Sequence, residues 1–506
     1  MPSPSEKLTD SLEVLKKALA NTGALVIRSN MITRTHRERL VSNGFLVEIL
    51  KGWYILTRPD EKNGDSTLWY TSFWQFCSSY LDYKLSGEWV VSPEQSLLIH
   101  AENWTIPDQL FIKSPNGNNN LIKLPHETSV FDLKSTIPEK ERIIIRNNVH
   151  IYPFPLALIS CSEKFFRQYP MDARAVLQTL KDTSDILSPL LDGGHTVIAG
   201  RIAGAYRNIN RSDVADEIVN TMKSAGFDVR EKDPFEEPAP QLLFQRNLSP
   251  YVYRVQQMWQ QMREVVLEDF QEPPKEKVNI LNYLKDIDEI YKHDAYNSLS
   301  IEGYQITQDL IERVKLGAWN PDSNSKDEKD KDAMAARGYW LAFNSVKESI
   351  SKVLSDADAG EIAEVDHRVW YRELFSPSVA TGILKPSELA GYRNTQVFIR
   401  NSKHVPLSPE AVRDVMPAFF DLLKNEPEPF VKSVLGHFVF VYIHPYNDGN
   451  GRIARFLMNL MLSSGAFPWT VIPLEERDSY MDALEEASVN NNIRPFAKFI
   501  HQLVFK

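Results

Sequence analysis

Apolar residues in the C-terminal third of the chain recur at helical spacing, which predicts a region built mostly from α-helices. The pattern indicates helices at about 332–352, 361–375, 408–424, 430–443, 451–463, 475–490 and 493–504. It also indicates earlier helices over 251–270 and 278–300. One segment differs: Thr395 to Arg400 alternates apolar and polar residues, and Asn401-Ser402-Lys403 can reverse the chain direction. We therefore expect a β-hairpin there.

The first 62 residues have a different order of elements. Leu8, Leu12, Leu15 and Leu19 form one face of a helix over 5–20, and a short helix follows over 33–42. Two apolar runs then flank Lys51-Gly52, which indicates a hairpin. Helix, short helix and hairpin is the order of a small winged helix. The segment resembles the N-terminal winged-helix domains of bacterial antitoxin-type regulators.

A basic stretch runs through this first module. Between Arg28 and Arg58 there are six Lys or Arg and two acidic residues, a local balance of +4 in a chain whose net charge is -10. Contact with DNA phosphates would need such a surface, so DNA is one candidate partner through residues 28–58. The alternative is a protein-docking or purely structural winged helix with a solvated basic face, and the sequence leaves these possibilities open.

Residues 63–240 contain no recognisable catalytic or binding motif. An aromatic-rich helix is expected at about 68–85, followed by short strands and turns up to 152, so 63–152 is interpreted as an α+β region. Helical periodicity returns over 153–230, and Pro234, Pro238 and Pro240 indicate a linker. We place the last domain at 241–506, with a polar, charged insertion at 320–331. The fold class is therefore mainly α.

The bulk composition limits the function classes. A chain of 506 residues is too long for one core. Its acidic net charge argues against a protein that coats nucleic acid or anionic membrane. Cys77 and Cys161 lack metal-ligand spacing, and no signal peptide or membrane-spanning run is visible, so we expect a cytoplasmic protein with reduced thiols and no membrane partner.

The stretch from His444 to Arg455 contains a histidine, an acid, a Gly-Asn-Gly turn and two arginines within twelve positions. Its Gly449-Asn450-Gly451 backbone can approach a ligand closely, and a helix begins directly after it. Free N–H groups at a helix N-terminus bind anions. Arg452 and Arg455, three residues apart, add two guanidinium groups on one face, which suits a di- or triphosphate.

Two further side chains complete the chemistry of this loop. A carboxylate beside polyphosphate repels it unless Mg²⁺ bridges the two, which makes Asp448 a candidate metal ligand. His444 ends the preceding helix, and its neutral imidazole could accept a proton from an incoming hydroxyl. Together these groups indicate nucleophilic attack on a nucleotide phosphate.

The same stretch resembles the Fic-domain signature HPFx(D/E)GNGRxxR, with Tyr446 where phenylalanine is usual. The resemblance covers roughly 250–506, with a catalytic core at about 332–504. It implies transfer of AMP from ATP to a Tyr, Thr or Ser hydroxyl of a target protein. It implies the following roles: His444 as general base, Asp448 as Mg²⁺ ligand, Asn450 with the Gly449 and Gly451 backbone at the α-phosphate, Arg452 at the β/γ-phosphates, Arg455 at the γ-phosphate, and Gln396, Val397, Phe398 and Ile399 in a target-docking flap.

A second motif precedes the core. Ser298-Leu299-Ser300-Ile301-Glu302-Gly303 resembles the (S/T)xxxE(G/N) inhibitory motif of regulated Fic proteins, on a helix expected at about 279–303. Ser298 and Glu302 are one turn apart, and Gly303 is a helix terminator. If Glu302 paired with Arg455, it would remove that guanidinium from the γ-phosphate. The resemblance therefore implies autoinhibition.

Several alternatives remain open at this point. Removal of AMP from the modified target is one, transfer of another nucleotidyl or phosphoryl group is a second, and a DNA-binding regulator that uses the Fic domain as a switch is a third. The target protein is not readable from the sequence. Self-AMPylation and a homodimer are candidates for the remaining partners.

Overall fold

The computed structural model describes residues 3–22, 26–59, 65–236, 238, 249–269, 278–317 and 331–505. The chain divides into two compact units. The first comprises Met1–Ala239 together with Phe398–Val405, and the second comprises Pro240–Val397 and Pro406–Lys506. Pro240 of the predicted linker and 320–330 of the predicted insertion lie outside the described residues.

The N-terminal part of the first unit contains the predicted helices and hairpin. Its elements are α1 (Pro4–Thr22), β1 (Val26–Arg28), α2 (Arg34–Ser42), β2 (Leu46–Leu50) and β3 (Trp53–Leu56). The strands form an antiparallel sheet in the order β1-β3-β2. Strand β1 was not predicted, because three residues are too few for a periodic signal. The identification of this module as a winged helix stays a prediction.

The three arginines of α2 differ in how far their side chains are available for contact with a partner such as DNA. Arg34 is 82% exposed and pairs with a glutamate one turn later. Arg37 donates to the Ser29 carbonyl at 2.6 Å, and Arg39 donates to the Ser11 hydroxyl at 2.7 Å. Two of the three guanidinium groups therefore also stabilise their own unit. DNA binding through this stretch stays a prediction.

The rest of the first unit is the α+β region followed by helices. Trp69, Phe73 and Phe76 of the aromatic helix are buried in its core. A four-stranded sheet has the order β4-β5-β7-β6, with β5 and β7 parallel. The elements are α3 (Thr67–Leu85), β4 (Val90–Val91), α4 (Pro93–His100), β5 (Gln109–Ser114), β6 (Asn120–Lys123), β7 (Ser129–Lys134), a 3-10 turn (Lys140–Arg142), β8 (Ile144–Arg146), β9 (Val149–Ile151), α5 (Phe154–Ser160), α6 (Lys164–Gln168), α7 (Pro170–Leu177), α8 (Ser184–Asp192), α9 (Thr196–Asn208) and α10 (Ser212–Ser224).

The segment Phe398–Val405 is part of the first unit although it is distant in sequence. The Arg400 guanidinium lies 2.8 Å from an Asp65 carboxylate oxygen. The Asn401 backbone N–H donates to the Thr67 hydroxyl at 3.0 Å. These contacts hold the segment by both its side chains and its backbone.

The predicted β-hairpin at 392–405 is wrong, since no strand forms there. The chain forms a turn instead, in which the Ser402 N–H lies 3.3 Å from the Ile399 carbonyl oxygen. The Lys403 carbonyl instead accepts from the Ile106 N–H at 3.0 Å, and Pro406 has no N–H to donate to a ladder. Backbone groups that a hairpin would pair with each other are thus paired elsewhere or missing.

The second unit is helical, as predicted, and the mainly α fold class is confirmed. A helix at 308–315 was not predicted. The elements are α11 (Pro250–Asp269), α12 (Ile280–Ile301), α13 (Gln308–Lys315), α14 (Lys331–Leu354), α15 (Ala359–Ala380), a 3-10 turn (Pro386–Leu389), α16 (Pro409–Asn425), α17 (Pro429–Ile443), α18 (Asn450–Ser464), a 3-10 turn (Leu474–Glu476), α19 (Arg477–Asn490) and α20 (Arg494–Val504).

Helices α17 and α18 pack against each other and are buried over most of their length. Helix α14 packs against both α15 and α18. It approaches α15 closely at Gly338, where a Cβ would lie 2.0 Å from the Leu374 carbonyl oxygen. This helical frame fixes the two ends of the loop between α17 and α18.

Two further sequence expectations concern thiols and membranes. Cys77 and Cys161 are both free and buried, so neither thiol is a surface group. Across the described ranges, no helix combines the length and apolar character needed to cross a bilayer.

We expect Gly338→Ala to destabilise the second unit by about 1–3 kcal/mol, because the added methyl group overlaps the backbone of α15. Urea or thermal unfolding of the full chain measures this as a lower midpoint. Glu348→Ala, at an exposed position of the same helix, is the matched control and should change stability by less than about 0.5 kcal/mol. An unchanged midpoint for Gly338→Ala would contradict the close contact.

Candidate functional site

The loop between α17 and α18 is built around two residues in the left-handed backbone region. His444 terminates α17 with φ 55° and ψ 60°, and Gly449 precedes α18 with φ 81°. Positive φ is unusual for histidine and ordinary for glycine. The loop thus reverses direction sharply, and α18 begins at Asn450, next to the predicted anion site.

Asn450 closes the loop through its side-chain amide. The amide oxygen accepts from the Tyr446 N–H and the amide nitrogen donates to the Tyr446 carbonyl, both at 2.9 Å. The Gly449 N–H donates to the Asp448 carboxylate at 2.6 Å. Asn450 is buried, and its two bonds to the Tyr446 backbone stabilise the shape of the loop.

The imidazole of His444 is oriented and electrically neutral. Its Nδ1 lies 3.2 Å from the Val441 carbonyl oxygen. A carbonyl can only accept, so Nδ1 carries the hydrogen and Nε2 keeps its lone pair. Burial lowers the pKa of His444 to about 4. At neutral pH the ring is therefore a base with one free acceptor nitrogen.

Arg393 holds the histidine turn in place and was missed by sequence reasoning. Its side chain is buried, and its Nε donates to the His444 carbonyl at 2.7 Å. Nη1 donates to the Thr395 carbonyl at 3.0 Å and Nη2 to the Leu407 carbonyl, while its backbone N–H donates to the Pro445 carbonyl at 2.9 Å. Burial lowers the pKa of Arg393 to about 10. A lone arginine beside an expected hairpin carries no sequence signal for this role.

Arg452 and Arg455 are both buried on the first turns of α18. The Arg452 guanidinium lies 5.3 Å from the ring centre of Tyr304 and 5.0 Å from that of Phe375. Within the described part of the chain, Nε and Nη2 of Arg452 and Nη1 of Arg455 have no hydrogen-bond partner. Buried donors without partners are costly, and an oxyanion ligand would satisfy them.

Ser298 and Glu302 both contact Arg455. The Glu302 carboxylate lies 2.7 Å from Nη2. The Ser298 hydroxyl accepts from Nε at 2.9 Å, and its backbone carbonyl accepts from Nη2 at 3.1 Å. Burial opposes the charge on Arg455, but the Glu302 carboxylate raises its pKa above the ordinary value overall. Gly303 follows at φ 91°, which ends the helix as its glycine predicts.

The Glu302 carboxylate also sits over Gly451. A Cβ at that position would lie 2.4 Å from Glu302 Oε1. Only a residue without a side chain lets an anion come this close to the first turn of α18. A carboxylate of the same chain therefore lies beside this helix N-terminus, where the sequence predicts an anion site.

Asp448 is the exposed acid of the loop, with 61% of its side chain accessible. It lies 3.4 Å from Arg452 Nη2, without hydrogen-bond geometry. In the ranges that the structure describes, no three His, Cys, Asp or Glu side chains form a metal cluster. Mg²⁺ commonly uses one or two carboxylates together with substrate phosphates and water, so an exposed single carboxylate next to an anion site fits that ion.

Tyr446 is fully buried at the motif position where phenylalanine is usual. Its ring stacks on Tyr371 with centroids 3.9 Å apart and planes 7° apart. Its hydroxyl has no hydrogen-bond partner among the described residues. The ring supports the loop from inside the helical frame.

The four predicted flap residues do not share one unit. Gln396 and Val397 belong to the second unit, whereas Phe398 and Ile399 belong to the first. The Gln396 amide donates to the Pro406 carbonyl at 2.8 Å, and Phe398 is 40% exposed. Their role in target docking stays a prediction.

Comparison with known proteins supports the resemblance seen in the motif. Residues 365–462 match the model of the Fic/DOC family. A segment of 218 residues, 42% of this chain, is 33% identical to a protein adenylyltransferase Fic of Nematostella vectensis and covers 47% of that protein. A Drosophila grimshawi protein adenylyltransferase Fic is 31% identical over 216 residues, with 42% of this chain and 41% of that protein covered.

A protein adenylyltransferase fic-1 of Caenorhabditis elegans is 27% identical over 217 residues, with 42% of this chain and 39% of that protein covered. The chain thus spans less than half of the length of each of these curated relatives. A solved structure of part of Fic-1 from C. elegans aligns at 18% identity and a TM-score of 0.36, covering 67% of this chain and 96% of that chain. The predicted Fic resemblance is confirmed for the C-terminal part of the chain.

We expect His444 to titrate with a midpoint near 4, because burial disfavours its charged form. The unfolded chain binds this proton near pH 6.5, so stability from the neutral ring is present above that pH and falls as the pH drops toward 4. Histidine-selective NMR of the full chain measures the midpoint, and His444→Gln identifies the signal. A midpoint near 6.5 would contradict the partly buried, neutral imidazole.

Proposed function

We propose that this chain transfers AMP from ATP to a Tyr, Thr or Ser hydroxyl of a target protein and that Glu302 inhibits the transfer. One observation carries the proposal. An anion site at the start of α18 adjoins Arg452 and Arg455, whose buried guanidinium groups retain unpartnered nitrogens. A chain of phosphates supplies the several oxyanions that these donors require.

In this proposal the loop orients the triphosphate. Arg452 binds the β/γ-phosphates and Arg455 binds the γ-phosphate. The Gly449 and Gly451 backbone lies beside the α-phosphate, and Asn450 maintains the loop shape that presents it. The N-terminal dipole of α18 favours the negative charge at this end.

The chemical step needs one base. Nε2 of His444 accepts the proton of the target hydroxyl, whose oxygen attacks the α-phosphorus. A bond forms between that oxygen and phosphorus, the bond to the bridging oxygen breaks, and pyrophosphate leaves with its electron pair. The neutral ring, with Nδ1 held by Val441, supports this role because its acceptor nitrogen is free at neutral pH.

Mg²⁺ fits this site through Asp448, and when bound it would neutralise phosphate charge. The carboxylate is exposed and lies next to Arg452. The ordering of Asp448 by the Gly449 N–H leaves its other oxygen available to a cation.

Inhibition follows from the position of the Glu302 carboxylate. It holds Arg455 at 2.7 Å and lies directly over Gly451. The γ-phosphate and the carboxylate are both anions that need the same guanidinium. ATP can therefore adopt the productive orientation only when Glu302 moves away.

We expect Glu302→Gly to raise AMP transfer at least about tenfold, since a tenfold gain corresponds to only ~1.4 kcal/mol of relieved competition. The assay follows labelled AMP from α-labelled ATP onto lysate proteins and onto the chain itself. His444→Ala in the Glu302→Gly background should lower the rate by about 10²–10⁴-fold through loss of the base.

A second variant separates charge from shape. Glu302→Gln keeps the side-chain length but removes the negative charge, so it should also raise transfer if competition for Arg455 is electrostatic. Equal rates for the parent chain and Glu302→Gly would refute inhibition while leaving AMP transfer intact. Absence of transfer in every variant, with ATP, GTP, UTP and CDP-choline compared, would refute the activity itself.

Target recognition belongs to the same proposal. Residues 396–399 are the expected docking segment, and self-AMPylation and a homodimer are further proposals that the assay and a mass measurement in solution can test. Removal of AMP is distinguished by incubating the isolated, AMP-modified product with the parent chain and following release of AMP.

A further inference from the structure

A cavity of about 310 Å³ lies in the second unit among α15, α16 and the turn that follows Pro386–Leu389. None of the residues proposed above to bind ATP phosphates lines it. Its walls are formed by Arg368, Tyr371, Arg372, Leu389, Ala390, Gly391, Tyr392, Arg413 and Tyr446.

The cavity has a strong positive charge. Arg368 and Arg372 are one turn apart on α15, and Arg413 comes from α16. In the described portion of the chain, no carboxylate forms an ion pair with any of these three guanidinium groups, and Arg413 donates to the Pro409 carbonyl at 2.6 Å. Three cations around one small space favour an oxyanion.

An acidic group in an adjoining cavity does not cancel this charge. Glu364 lines an adjoining cavity of about 230 Å³ that shares Arg368, Tyr392 and Arg413. Its carboxylate lies 2.6 Å from the Lys424 ammonium. Since Glu364 is already paired, the cationic surplus of the larger cavity remains.

The Tyr446 hydroxyl is a second, independent observation. The residue is fully buried, lines the cavity, and its hydroxyl has no partner among the residues described. Burial raises the pKa of this hydroxyl, and Arg368 and Arg372 line the same cavity. The group is thus a protonated donor beside the arginines, where phenylalanine would place only carbon and hydrogen.

We propose that this cavity binds a phosphate monoester whose organic part contains an aromatic ring. The arginines take the phosphate oxygens, and the Tyr446 hydroxyl donates to the ligand. A volume of about 310 Å³ exceeds what a bare ion fills and matches small-molecule sites. Tyr371, Tyr392 and Leu389 supply apolar surface for the organic part. A nucleoside monophosphate and a phosphorylated aryl group share this chemistry.

The position of the cavity gives its occupant access to the loop from another side. Tyr446 forms part of the wall, and its backbone is tied on both sides to Asn450 at the start of α18. A ligand there contacts a residue of the loop without competing for Arg452 or Arg455.

Calorimetric titration of the full chain with AMP, phenyl phosphate and inorganic phosphate tests the proposal. We expect AMP or phenyl phosphate to bind, and inorganic phosphate to bind more weakly. Preference for AMP indicates a nucleoside monophosphate as the natural ligand, and preference for phenyl phosphate indicates a phosphorylated aryl group. Arg372→Gln and Arg413→Gln should each weaken it about tenfold, and Tyr446→Phe about threefold. Both arginines are exposed, so their loss leaves the core intact.

A matched control locates the bound ligand. Lys498→Gln removes an exposed charge of the same unit outside the cavity and should leave the affinity unchanged. Binding kept in full with both Arg372→Gln and Arg413→Gln, equal affinity for inorganic phosphate, or no binding at 10 mM ligand would each overturn the proposal.

Discussion

The contact between the Glu302 carboxylate and Arg455 links the C-terminal end of α12 to the N-terminal part of α18. It unites two distant parts of the sequence at 2.7 Å. An anion is stabilised there by the guanidinium, by the helix dipole and by the open backbone at Gly451. The same physical features that suit a phosphate also suit a carboxylate, so a site built for one is readily closed by the other.

Buried arginines define the rest of the site. Arg393 is surrounded by backbone carbonyls, Arg455 by a carboxylate and a serine, and Arg452 by two aromatic rings. Burying a guanidinium is tolerated only when its donors are satisfied or await a ligand. Arg452 and Arg455 retain nitrogens without hydrogen-bond partners among the described residues. All three guanidinium nitrogens of Arg393 donate to backbone carbonyls, so Arg393 has a structural role. Burial alone therefore does not distinguish binding from positioning.

Sequence periodicity located most helices of the second unit because each presents a long, regular apolar face. It was wrong for 392–405, where alternation of apolar and polar residues suggested strands. That segment bonds through Asn401 and Lys403 to residues far away in sequence. Alternation reports which side chains are apolar, and it carries no information about where the backbone N–H and C=O groups find partners.

The sequence by itself determined which chemical groups the loop carries, because twelve adjacent residues contain its histidine, its acid, its glycines and both arginines. It also indicated Glu302, since a capping glycine follows a serine and glutamate one turn apart. The tertiary structure alone decided that Arg393 bonds to the His444 carbonyl, that Glu302 pairs with Arg455 and that three arginines line one cavity with Tyr446. These depend on packing between helices that lie far apart in the chain, and local spacing cannot encode such distances.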